Sequence, residues 1–142
     1  MVVACGRFIG FGRPVLVLGC YLPPGYTVPK GAAGLAYIRD VVTDLKRRYV
    51  DPYVVVMGDF NQWDIADALA DFPDIKESPV GNTRGSRSID RILSNLFDHT
   101  SDCGTVPPLE PDLPAEGAPS DHRIAFLTCK IPKVKKLSLI HI

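Results

Sequence analysis

A run of four apolar residues, Val54-Val55-Val56-Met57, stops abruptly at Gly58-Asp59-Phe60-Asn61. An unbroken apolar stretch of this length suits a strand buried on both faces, and such a strand needs a layer of structure above it and another below. That requirement points to an α/β sheet. Gly58 lets the backbone turn where a side chain would crowd it. Asp59 and Asn61 then stand at the carboxyl end of the strand, where open α/β sheets usually place their ligand crevice. The two side chains point to the same side if the extended conformation persists. One can take a proton or hold a cation, and the other can donate to an anionic oxygen.

The rest of the chain supplies partners for this strand. Val2 to Ile9 and Pro14 to Tyr21 read as two strands of a hairpin, broken by Tyr21-Leu22-Pro23-Pro24-Gly25 because two prolines cannot feed a ladder. Leu35, Ile38, Val42, Leu45 and Tyr49 recur at helical spacing and predict a helix over Gly31 to Tyr49. Asp51-Pro52 ends it and opens the strand Tyr53 to Met57. A short helix is expected over Asp64 to Phe72, capped by Asp64. Gly81 to Ser88 reads as a loop, Ile89 to Leu93 as a strand with Asp90 and Ile92 facing one way, and Thr100 to Ser120 as a long surface loop with room for a short strand. Ile124 to Ile131 is a final strand. The basic, then apolar segment from Lys133 to Ile142 reads as a linker stub or a non-native end.

Lys+Arg and Asp+Glu are balanced at 16 each, so no global field draws the chain to nucleic acid or to an acidic membrane. Any nucleic-acid binding must come from local patches. Cys5, Cys20, Cys103 and Cys129 show no zinc spacing and read as buried or free thiols, which fits a reducing, intracellular compartment, nuclear or cytoplasmic. No apolar run is long enough to span a bilayer, and the start of the chain lacks the basic segment of a secretory signal.

A second polar cluster, Ser120-Asp121-His122-Arg123, precedes the apolar run Ile124-Ala125-Phe126-Leu127. Taken singly, each polar residue has an ordinary reading. Asp59 and Asn61 are turn residues, Asp90 pairs with Arg87 or Arg91, His122 is a solvated or core histidine, and Tyr21 covers the edge of the core. Together their roles complement one another. Phosphodiester cleavage needs a hydrated divalent cation, an activated water and donors for the transition-state oxygens. Carboxylates suit a hard ion such as Mg²⁺, and a histidine held by an aspartate has a fixed tautomer. Asp90 and His122 are the candidate pair.

The segments Gly58-Asp59-Phe60-Asn61, Ser88-Ile89-Asp90-Arg91-Ile92-Leu93 and Ser120-Asp121-His122-Arg123 occur in the order typical of the endonuclease/exonuclease/phosphatase superfamily, and Tyr21-Leu22-Pro23-Pro24 looks like its strand-end tyrosine. The resemblance runs from about Val2 to Ile131. It implies an α/β fold that is part of a four-layer, deoxyribonuclease I-like sandwich, with 1–131 a partial domain and 132–142 a tail or linker stub. Tyr-x-Pro-Pro, Gly-Asp-Phe-Asn and the Thr83-Arg84…Arg87-Ser88-Ile89-Asp90 loop look most like endonuclease domains of non-LTR retrotransposons. Inositol-polyphosphate phosphatases share Asp-Arg-Ile-Leu, but they usually carry Trp-Cys where this chain has Ser88-Ile89.

Carried over by residue, the resemblance implies that Asp59 orients or deprotonates the attacking water and that Asn61 donates to the scissile phosphate. His122, held by Asp90, would hydrogen-bond a phosphate oxygen. Tyr21 would contact phosphate, and Asp121 would help position the metal, Mg²⁺ or Mn²⁺, or its waters. Arg84 and Arg87 are expected either to track a nucleic-acid backbone or to remain solvated loop cations. The family's metal glutamate and a catalytic asparagine lie in its first half, and Glu77, Glu110 and Glu116 come too late in the order to replace that glutamate. The expectation is therefore the second half of a DNA-nicking endonuclease, with the first half incomplete and weak activity alone, from a retroelement in which a reverse transcriptase could follow. A phosphoinositide or other phosphoester phosphatase is the alternative within the superfamily. A catalytically dead remnant or binding module is the alternative outside catalysis.

Overall fold

The computed structural model describes residues 1–106 and 121–132. The expected hairpin is present: β1 (Val2–Phe8) pairs antiparallel with β2 (Val15–Tyr21). Helix α1 (Val28–Arg48) then crosses over to β3 (Tyr53–Asp59), which lies parallel to β2. The helix starts a turn earlier than its apolar spacing suggests. Pro29 sits in its first turn, where a missing N–H does no harm.

Strand β5 (Asp90–Ser94) pairs antiparallel with β3, and β4 (Lys76–Glu77) adds an edge. The five strands run in the order β1-β2-β3-β5-β4. Helix α2 is shorter than expected, Ile65–Ala68, but the Asp64 side chain caps it as anticipated by accepting from the backbone N–H groups of Ala66 and Asp67. A short 3-10 turn, Phe97–His99, leads into β6 (Thr100–Val106), which pairs with β7 (Ile124–Cys129) in a separate two-stranded ribbon.

The expectation of a long loop from Thr100 is thus corrected at its start. TSDCGTV is poor in apolar residues, but only one face of a ribbon needs them, and Cys103 provides that contact. The rest of that expected loop, and the tail beyond Pro132, lie outside the described residues.

β3 is buried on both faces, as its unbroken apolar run requires. Val54 and Val56 pack with Leu18, Ile38, Val42 and Leu93 under the helices. Tyr53, Val55 and Met57 pack on the other side with Val15, Ile92 and, from the ribbon, Ala125 and Leu127. Helices, sheet and ribbon therefore form three successive layers among the described residues. The mixed α/β architecture agrees with the expected fold class.

Gly58 is part of β3 rather than the turn after it. Its φ is 150°, and a Cβ built there would stand 1.8 Å from the carbonyl oxygen of Cys20 on β2. The crowding anticipated at this glycine comes from the neighbouring strand.

Candidate active site

The register of the sheet places Tyr21 opposite Asp59, and Asp59 opposite Asp90. Three candidate residues from three strands thus occupy one rung, at the carboxyl ends of β2 and β3. Paired residues project to the same face. Alternation along each strand shows which face it is: Met57 and Ile92, two positions away, and Val17, four positions away, all pack toward the ribbon. His122 arrives on this side because it lies two residues before β7, a strand of that ribbon.

Asp90 and His122 meet as the sequence predicted. His122 Nδ1 is 2.8 Å from Asp90 Oδ2. An ionised carboxylate only accepts, so Nδ1 carries the hydrogen. The opposite ring nitrogen, Nε2, is turned toward Asp59 Oδ2 at 4.0 Å and Asp121 Oδ1 at 3.8 Å. The alternative pairing of Asp90 with an arginine is not what forms at Arg91, whose guanidinium is held bidentately by Glu77 at 2.6 Å and by Asp64 at 3.2 Å.

Asn61 departs from the expected geometry. Its φ is 49°, so the extended conformation ends before it. The Asp59 carboxylate closes this turn by accepting the Asn61 backbone N–H at 3.0 Å. The Asn61 side chain donates from Nδ2 to the carbonyl of Leu22 at 2.8 Å. The asparagine side chain is therefore tied to the loop after Tyr21.

Arg84 Nε donates to Asp121 Oδ2 at 2.6 Å, on the exposed rim of the site. This bond lowers the Asp121 pKa below the usual carboxylate value. Asp121 is thus in the cluster but already charge-paired, and Arg84 is not a lone solvated cation. The Arg87 backbone closes the same loop, donating to the Arg84 carbonyl and accepting from Thr83. Tyr21 remains 42% exposed at the rim.

Sequence reasoning missed the function of Thr83. It is wholly buried, and its hydroxyl accepts from the backbone N–H groups of Ile89 and Asp90 at 3.2 and 3.0 Å. Its carbonyl accepts from Arg123 N at 2.6 Å. One residue thus fixes both the start of β5 and the chain just after His122. A threonine opening a polar loop was the only signal, and nothing in it shows what the hydroxyl faces.

Burial raises the Asp59 pKa above its ordinary value, offset in part by the Asn61 N–H and reinforced by the negative charge of Asp90. Asp59 and Asp90 bring two carboxylates onto one rung, and a bound cation would relieve their mutual repulsion. The ligand atoms of Asp59, Asp90 and His122 all lie within 4.8 Å of one another. Two carboxylates and an imidazole fit a divalent ion such as Mg²⁺ or Mn²⁺, with oxygen donors from Asp59 and Asp90. The arrangement offers a partly buried base, a histidine with a fixed tautomer and a site for a hard cation.

The family model described as Endonuclease/Exonuclease/phosphatase family matches residues 2–122. Among solved structures, truncated TDP2 of Caenorhabditis elegans is similar with a TM-score of 0.61 at 19% identity, covering 85% of this chain and 56% of that one. A functionally unknown conserved protein from Enterococcus faecalis V583 is similar with a TM-score of 0.54 at 18% identity, covering 84% of this chain and 52% of that one. At these identities the likeness is one of fold. The chain spans about half the length of these two structures. No curated protein matches it in sequence.

Proposed function

We propose that this chain, which belongs to the endonuclease/exonuclease/phosphatase family, acts in hydrolysis of a phosphodiester with Mg²⁺ or Mn²⁺, as a DNA-nicking endonuclease domain of a retroelement. The observation that carries this reading is the rung Tyr21, Asp59, Asp90 with His122 placed over it, its Nδ1 on Asp90. The retroelement assignment is supported by the Tyr-x-Pro-Pro segment, Gly-Asp-Phe-Asn and the Thr83-Arg84 loop. DNA is the proposed substrate. A downstream reverse transcriptase is the proposed companion in the parent protein. The four free cysteines support an intracellular setting. No described helix is long and apolar enough to cross a membrane.

In this reading Asp59 orients the attacking water or accepts its proton. In the form that carries a hydrogen on both ring nitrogens, His122 donates from Nε2 to a phosphate oxygen while Nδ1 donates to Asp90. Asn61 offers its second amide hydrogen to the same group. Asp121 and Arg84 form the outer rim, with Asp121 close enough to help position waters of a cation. A divalent ion bound by Asp59 and Asp90 would polarise the phosphoryl oxygen and offset the charge that builds in the transition state.

Activity of the chain by itself is expected to be weak, because the two carboxylates of Asp59 and Asp90 are a small ligand set for a hard ion. Supercoiled plasmid, an abasic duplex and soluble inositol phosphates, each with Mg²⁺ or Mn²⁺, provide the test. Slow plasmid nicking that is abolished by chelator and by His122→Ala is the expected outcome. Turnover of inositol phosphates without nicking would move the assignment to a phosphatase. No turnover, with no metal binding by calorimetry, would indicate a binding module or dead remnant.

A further inference from the structure

Pro23 and Pro24 lack N–H groups, so the strap that follows Tyr21 cannot be held by donating into a sheet ladder. It is held through its carbonyls instead. Three consecutive side chains donate to three consecutive carbonyl oxygens: Asn61 Nδ2 to Leu22 at 2.8 Å, Trp63 Nε1 to Pro23 at 3.2 Å and Gln62 Nε2 to Pro24 at 2.7 Å. The strap begins directly after Tyr21, and Leu22 N also donates to the Asp59 carbonyl at 3.0 Å. On its far side the Trp63 ring lies against Gly31 in the first helical turns. A Cβ on Gly31 would come within 2.2 Å of that ring.

We infer that Gln62 and Trp63 are positioning residues that set the orientation of the Tyr21 ring beside Asp59 through the Leu22–Pro24 strap. The inference rests on the proposed phosphodiesterase reading for its functional consequence, but the geometry it describes does not. The turn at Asn61 brings the three donors to one side of the loop, so the chain that ends in Asp59 also sets where Tyr21 stands. Sheet pairing with Val2 and Asp59 holds the Tyr21 backbone, while the residue remains substantially exposed. A loosened strap would leave the Tyr21 backbone, Asp59, Asp90 and His122 in place and free only the tyrosine ring. The sequence after Gly-Asp-Phe-Asn thereby acquires a role in orienting substrate.

Two variants remove a donor: Gln62→Met with little change of bulk, and Trp63→Phe together with part of the ring that lies against Gly31. The first measurement is the ring spectrum of ¹³C-labelled tyrosine in the full chain, with the Tyr21 signal assigned by Tyr21→Phe. Both variants should shift and broaden the Tyr21 signal and leave Tyr53, buried at the opposite end of β3, unchanged. An unmoved Tyr21 signal in both variants would overturn the inference, whether or not the chain cleaves anything.

The second measurement is plasmid nicking with Mn²⁺. Each variant should lose roughly 10- to 100-fold in rate, and Trp63→Phe should add little to the loss already caused by Tyr21→Phe. Fully additive losses would show that Trp63 acts independently of Tyr21 and would also overturn the inference. Absence of nicking by the unaltered chain would count against the proposed function alone, and the tyrosine spectrum would then decide the positioning role.

Discussion

His122 Nδ1 stands 2.8 Å from Asp90 Oδ2 across 32 residues of chain. The contact joins the main sheet to the two-stranded ribbon. It also sets which nitrogen of His122 faces Asp59. Asp90→Asn should weaken this hold and mix the tautomers, because a carboxamide can present either an acceptor or a donor. Long-range ¹⁵N–¹H spectra should show loss of the single Nδ1–H form. Cleavage should fall roughly 100-fold or more. An unchanged tautomer would remove Asp90 from its assigned role.

Asp59 should limit stability near neutral pH. Burial and Asp90 raise its pKa in the folded chain, so the folded state holds this proton more tightly than the unfolded state does. The associated stability is present below the unfolded carboxylate pKa of about 3.9 and is lost as pH rises through the folded value. Asp59→Asn keeps an oxygen to accept the Asn61 N–H and removes the charge. Its thermal midpoint should exceed that of the parent at pH 7 and converge with it under acid conditions. Cleavage should be lost at every pH. A lower midpoint at pH 7 would contradict the assignment of Asp59 as a strained carboxylate.

A β-carbon at position 58 has no place to go. The blocking atom is the backbone carbonyl of Cys20, and the φ of 150° is itself unfavourable for a side chain. Gly58→Ala should destabilise the chain by on the order of 3–5 kcal/mol, among the largest effects of a single small substitution. Urea titration followed by circular dichroism measures this. A change below about 1 kcal/mol would mean that β2 and β3 can separate at this rung without penalty.

Thr83→Val preserves shape and leaves the Ile89 and Asp90 N–H groups without their acceptor. Two buried donors left unsatisfied cost roughly 2–6 kcal/mol together. Thr83→Ser should recover most of the loss, since it restores the oxygen. If valine and serine variants unfold at the same denaturant concentration, the hydroxyl is not what holds the start of β5.

A cation seated between Asp59 and Asp90 stabilises the folded chain by mass action. Addition of Mn²⁺ or Mg²⁺ should therefore raise the thermal midpoint of the parent, and the rise should vanish with chelator or in Asp59→Ala. An equal rise in parent and Asp59→Ala would place metal binding elsewhere.

Much of this molecule was legible in the sequence. The unbroken Val54–Met57 run determined a strand covered on both sides, and the packing of alternate residues into two separate cores confirms it. Helical spacing located α1, and Asp64 marked the start of α2 because its cap is a local hydrogen bond. The identities of Asp59, Asp90 and His122 were legible as complementary chemistry. Their placement was not.

Register is set by pairing between distant strands, so only the folded sheet could put Tyr21, Asp59 and Asp90 on one rung. The left-handed turn at Asn61 and the burial of the Thr83 hydroxyl likewise depend on groups contributed from elsewhere in the chain, Leu22 in one case and the start of β5 in the other. Local sequence determined which elements form and which side chains are candidates for chemistry. Tertiary structure decided which of those side chains meet, because contacts across a sheet are made by residues that the sequence keeps far apart.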